Sequence, residues 1–252
     1  MVAPSSAPDK LAQLRALVAA TDRRPGSVAR FGLDEVDGRL ADGGLGTEAL
    51  HDVAPSSPTL SDDAASALFA AGVAARLAEA KGTVLWVVTG FDLYAPGLEQ
   101  AGLAADRLIY VEARDDAQAL ALAEDGLNHG ALAAVIAEVR RAPMVATRRL
   151  QLAAERGRTP ALLLRRWRKT GVCPLSEPSA AATRWRIGSA PSARMAVPGV
   201  GRARWTVELV RQRNGHPFSL TVEACDDQGR LALPAPAPDR AAEADGAVAR
   251  AA

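Results

Sequence analysis

Short apolar runs recur along the first two thirds of the chain, at residues 49–53, 83–89, 107–112, 132–139 and 160–164. The segments between them change to helical periodicity, predicting helices over 62–80, 96–101, 115–128 and 145–156. Met144, Leu150 and Leu152 are candidate core positions of the last helix. Strands that alternate with helices across short loops predict an α/β fold, a mostly parallel central sheet with helices on both faces. The 132–139 run is apolar almost throughout, as a strand covered on both faces requires.

The pattern changes after Trp167. A Pro- and Ser-containing loop (168–180) leads to three runs, 181–187, 204–212 and 218–224, in which apolar and polar residues alternate. Trp205, Val207 and Leu209, then Leu220 and Val222, would share one face, predicting antiparallel C-terminal strands that extend the sheet. Asn214-Gly215 is a hairpin turn between the last two. Near the start, Leu11, Leu14, Leu17 and Val18 form one stripe of an amphipathic helix that Asp9 can cap. The chain thus divides into an N-terminal helix and linker (1–27), an α/β core (28–233) and a Pro/Ala-rich tail (234–252) expected to be disordered.

A hydrophobic content of 48% and a charged content of 23% are ordinary for a globular protein. The two cysteines, Cys173 and Cys225, permit neither a disulfide framework nor a four-cysteine zinc site. No basic-then-apolar leader and no membrane-length apolar run is present, so a cytoplasmic protein is expected. The net charge of +1 conceals a division. Residues 1–139 hold 10 Lys/Arg against 20 Asp/Glu, whereas 140–213 hold 17 against 3. Such polarity points to a surface for nucleic acid or for an acidic partner.

Between the first run and the 62–80 helix, a phosphate-binding loop would read G-x-x-x-x-G-K-[ST]. The chain reads Ala54-Pro55-Ser56-Ser57-Pro58-Thr59-Leu60-Ser61-Asp62-Asp63. It lacks the glycines that let backbone N–H groups approach a phosphate and the lysine for its terminal oxygens. Asp62 and Asp63 stand where a bound anion would be drawn to the helix end. Glu138 closes the fourth run and could hold a metal, but a salt-bridging or capping carboxylate is the simpler reading, as for Glu112 and Asp92. His51, His129 and His216 show no metal spacing, and no cofactor is called for.

The order of these pieces resembles the RecA core with a degenerate phosphate loop. Gly32-Leu33, Val36-Asp37, Leu40 and Gly43-Gly44-Leu45 are similar to the approach to the RecA phosphate loop, and residues 49–55 to its first core strand. Within that superfamily, residues 84–120, 148–167, 179–187 and 202–234 resemble the ImuA family, whose likeness spans roughly 28–234. The resemblance implies a non-enzymatic accessory factor of SOS-induced, error-prone translesion synthesis. The implied partners are an ImuB-type Y-family-like protein, RecA and an error-prone DnaE-type polymerase, with weak binding of single-stranded DNA. A SulA-like inhibitor of the tubulin-like division protein is the alternative, although such proteins are shorter and would not need an Arg-rich half.

Arg165, Arg166, Trp167, Arg168 and Lys169 leave the fifth run toward a loop that in RecA-like proteins lies against single-stranded DNA. Arg184, Trp185 and Arg186 repeat the pairing of cations with tryptophan. The arginines and Lys169 read as contacts to DNA or an acidic partner, or else as solvated cations. The tryptophans read first as core anchors and second as stacking platforms for bases.

Overall fold

The computed structural model describes residues 27–78, 82–90, 93–167, 171–192, 199 and 201–235. The expected N-terminal helix (10–20), Asp92, Arg168, Lys169 and most of the tail lie outside the described residues. Eight strands form the main sheet: β3 (Leu50–Pro55), β4 (Val84–Val88), β5 (Leu108–Glu112), β6 (Ala134–Val139), β7 (Ala161–Arg165), β8 (Thr183–Ala190), β9 (Arg204–Gln212) and β10 (Phe218–Glu223). Their order is β10-β9-β8-β3-β7-β6-β4-β5, with β8 to β5 all parallel and β9 and β10 antiparallel. A two-stranded ribbon, β1 (Val28–Ala29) and β2 (Leu45–Gly46), and a one-turn helix α1 (Asp34–Asp37) precede the sheet. Neither was anticipated, because elements this short carry no periodicity.

Helix α2 (Leu60–Ala78) crosses one face. Its alanines and Gly72 let it lie close to the sheet, so it is buried nearly all round rather than along one stripe. At Gly72 the Cys225 side chain fills the space a Cβ would need, and burial pushes that thiol up to about 12. The same face holds an aromatic cluster: Phe69 of α2 lies 5.8 Å from Trp185 and 6.4 Å from Trp205, with Phe31 and Phe218 each within 6.0 Å of Trp185. Trp185 is thus a core anchor, 1% exposed.

After the short α3 (Ala95–Gln100), helices α4 (Asp116–His129) and α5 (Met144–Gly157) cover the opposite face, over Leu50, Val87, Val135, Ala137 and Leu163. Asp115 caps α4 by accepting the Gln118 N–H at 2.8 Å, and Gly130 ends it in the left-handed region at φ 72. At Gly157 the two helices meet so closely that a Cβ would run into the Leu127 carbonyl oxygen. Gly157→Ala is therefore expected to cost about 1–3 kcal/mol of unfolding free energy in urea titration. A change within error would show that the helix pair is not held at this point.

Two expectations are corrected. The first of the three C-terminal runs forms β8, which lies parallel to β3 and antiparallel only to β9. β8 lies on the side of β3 away from β7, so the alternating polarity marks a strand with one polar face paired inside the protein. Met144 and Leu152 do not join the core as Leu150 does. They are 48% and 49% exposed, because α5 turns Thr147, Leu150, Ala153 and Ala154 inward.

Next to the sheet centre, His51 of β3 lies fully inside. Its Nε2 sits 2.8 Å from the Gly46 carbonyl and its Nδ1 2.7 Å from Thr183 Oγ1, which also accepts the Trp185 indole N–H. With Nε2–H as the donor, the Thr183 hydroxyl completes the chain by donating to Nδ1. Burial, opposed in part by the Gly46 hydrogen bond, lowers the His51 pKa to about 4.

Candidate functional site

In an open α/β sheet, ligands sit beyond the carboxyl ends of the strands, where the connections diverge to opposite sides. Here that place is the rim formed by the ends of β3, β7 and β6. The turn from β3 into α2 is drawn toward β8: Ser56 N–H donates to the Ile187 carbonyl at 2.8 Å. A side chain at Gly188 would come within 2.8 Å of Ser56 Oγ, so the two segments close on each other.

The acidic pair at the start of α2 is engaged within the protein. Asp62 accepts from Ser57 Oγ at 2.6 Å and from the Ser189 N–H at 2.8 Å. Asp63 forms an ion pair with Arg166, just past β7. Arg166 also reaches Glu138 at the end of β6, with Nε and Nη2 at 2.8 and 2.7 Å from Oε2. The other oxygen of Glu138 accepts the Trp86 indole N–H at 2.7 Å. A continuous bridge, Asp63–Arg166–Glu138–Trp86, thus ties α2, β7, β6 and β4 together across the rim.

Burial alone would make Arg166 easier to deprotonate. The charges of Glu138 and Asp63 more than reverse this and hold its pKa above the ordinary value. Glu138, 4% exposed, is a buried carboxylate compensated by that guanidinium. A triphosphate does not fit these residues. The helix end that would receive it bears two carboxylates, no glycine loop surrounds it, and the strand-end acid is spent on an arginine. Among the described residues no three His, Cys, Asp or Glu side chains gather to hold a metal.

The remaining expected contact residues separate. Arg165 is wholly buried and reaches Glu177 at 2.7 Å. Arg184 lies against Asp52 at 3.0 Å and donates to the Leu175 and Glu177 carbonyls, both at 2.9 Å. These two are corrected from surface cations to internal ties that fasten the 171–182 connection over the sheet. Arg186 pairs with Glu208 at 3.1 Å nearer the surface. Trp167 is half-buried on the rim, its indole N–H donating to the Pro55 carbonyl at 3.2 Å. The Arg184–Asp52 and Trp167–Pro55 contacts join residues 132 and 112 positions apart, which is why the run of arginines alone could not reveal them.

No family model matches the chain. It is 40% identical over 208 residues to Protein ImuA from two strains of Caulobacter vibrioides, NA1000 / CB15N and ATCC 19089 / CIP 103742 / CB 15, covering 80% of this chain and 85% of each relative. Among solved structures, the RadB recombinase is 13% identical, with a TM-score of 0.57 over 82% of this chain and 100% of that one. This likeness shows a RecA-like fold. SulA from Pseudomonas aeruginosa overlaps 46% of this chain and 96% of its own at 24% identity and a TM-score of 0.39, which carries no argument. No helix among the described residues is long and apolar enough to cross a membrane.

Proposed function

The chain belongs to the ImuA family, and on that premise we propose that it is a non-catalytic accessory factor of SOS-induced, error-prone translesion DNA synthesis. It works in the cytoplasm through protein contacts with an ImuB-type Y-family-like partner, with RecA and an error-prone DnaE-type polymerase as further members of the assembly. The observation that carries this reading is the bridge of Asp63, Arg166 and Glu138 across the position a nucleotide would take. A RecA-like scaffold whose nucleotide position is tied shut retains shape and surface as its means of action.

Within this reading, Trp167, Arg168, Lys169 and Arg186 are the proposed contacts for a partner or for weakly held single-stranded DNA. Arg165, Arg166 and Arg184 act from inside by fixing the chain that presents them.

Titration with a fluorescent ATP analogue and magnesium should give no saturable binding. A micromolar dissociation constant that Glu138→Gln weakens would overturn the non-catalytic reading. In cells, loss of the chain should abolish damage-induced mutagenesis while division proceeds normally. Filamentation on overexpression, with mutagenesis intact after deletion, would replace this reading by that of a division inhibitor.

A further inference from the structure

With Arg165, Arg166, Arg184 and Arg186 paired internally, the surplus cations of the 140–213 segment stand elsewhere. Arg148 and Arg156 are exposed along α5, and Arg140 and Arg141 on the turn before it. Among the described residues no carboxylate pairs with any of these four side chains. The same helix exposes Val145 (73%) and Leu152 (49%), where the sequence pattern placed Leu152 in the core. Val145, Arg148, Leu152 and Arg156 follow one another along a single stripe of the helix.

Beside the stripe, α4 and α5 part to leave a groove of about 640 Å³ lined by Ala117, Leu120, Ala121 and Ala146. The acids on its walls are already engaged. Asp115 caps α4, Asp116 accepts the Arg140 and Arg141 backbone N–H groups at 3.1 and 2.8 Å, and Glu124 holds Arg149 at 2.6 Å. What remains toward solvent is apolar surface bordered by positive charge that no carboxylate among the described residues pairs. Single exposed apolar residues need no explanation, but two on one stripe next to an apolar groove do.

We propose that the α4–α5 face is a docking surface for an acidic amphipathic helix of a partner protein. Its apolar side chains would fill the groove and cover Val145 and Leu152, and its carboxylates would lie over Arg140, Arg141, Arg148 and Arg156. A nucleic acid suits the face less well. No aromatic ring stands on the stripe or in the groove to stack on a base. The surface deepens the accessory-factor reading and rests on it for its probe, full-length ImuB.

The test compares the full chain with two double variants, Val145→Asp with Leu152→Asp and Arg148→Glu with Arg156→Glu, and with Arg213→Glu on the β9–β10 turn as a control. Both double variants should weaken ImuB binding about tenfold or more, with thermal melting unchanged and the control equal to the wild type. If ImuB binds both double variants as tightly as the wild type, the docking face is wrong while the accessory reading stands. Loss of oligo-dT binding with ImuB binding intact would make the face a nucleic-acid surface and overturn the proposal. If the wild-type chain itself fails to bind ImuB, the accessory reading falls and takes the docking face with it.

Discussion

Arg184→Ala is expected to lower the unfolding free energy by about 3–5 kcal/mol, enough to remove a large share of the stability of an ordinary domain. Asp52 is 0% exposed on β3, near the middle of the sheet, and Arg184 on the adjacent β8 is its ion-pair partner. Truncating the arginine leaves a carboxylate in a medium that cannot solvate it. It also strips the Leu175 and Glu177 carbonyls of their donors, so the 171–182 connection loses one of its ties. Arg186→Ala, two residues along the same strand, is expected to cost only about 0–1 kcal/mol, because its pair with Glu208 is about a third exposed on each side. Urea denaturation of the two variants gives the contrast directly. If Arg184→Ala costs no more than Arg186→Ala, the buried pair is not the tie described here. The double change Asp52→Asn with Arg184→Met should recover much of the loss, since it removes both charges together.

The second large effect is acid destabilisation through His51. The folded protein keeps this imidazole neutral down to about pH 4, whereas an unfolded chain protonates it near 6.5. Above 6.5 both states hold it neutral and it adds no pH dependence. As pH falls from 6.5 toward 4, the unfolded state binds a proton that the folded state does not, so stability declines. Below 4 both states are protonated and the loss levels off. Integrated over that interval, the loss is about 3 kcal/mol. Replacing the ring by His51→Asn lowers stability at pH 7, but should flatten the difference between pH 7 and pH 4.5 by most of this amount. Carboxylates that titrate in the same range are common to both proteins and cancel in the comparison. Equal slopes for wild type and variant would remove His51 as the acid-sensitive group.

Much of the framework was legible from local pattern. The order of strands and helices in the core, the hairpin at Asn214, where φ is 61, and the double burial of β6 all follow from periodicity and turn chemistry read over a few residues. The lack of phosphate-loop glycines and lysine between β3 and α2 was legible in the same way, because a phosphate loop is itself a local motif. The fate of the arginines was not. Asp52 and Arg184 lie 132 residues apart and meet only because β3 and β8 become neighbours in register. Leu152 misled for a related reason: a leucine at helical spacing reads as core until a neighbouring helix fixes which side faces the sheet.

The sequence by itself therefore determined the succession of elements and the absence of the glycines and lysine that hold a triphosphate, since both depend on neighbouring residues alone. The tertiary structure decided how the charge is spent. It turned Arg165, Arg166 and Arg184 inward, the last two to compensate the buried Glu138 and Asp52, and left Arg140, Arg141, Arg148 and Arg156 facing solvent beside an apolar groove. A cation's role is set by which opposite charge lies within a few ångströms, and only the folded sheet brings those charges together.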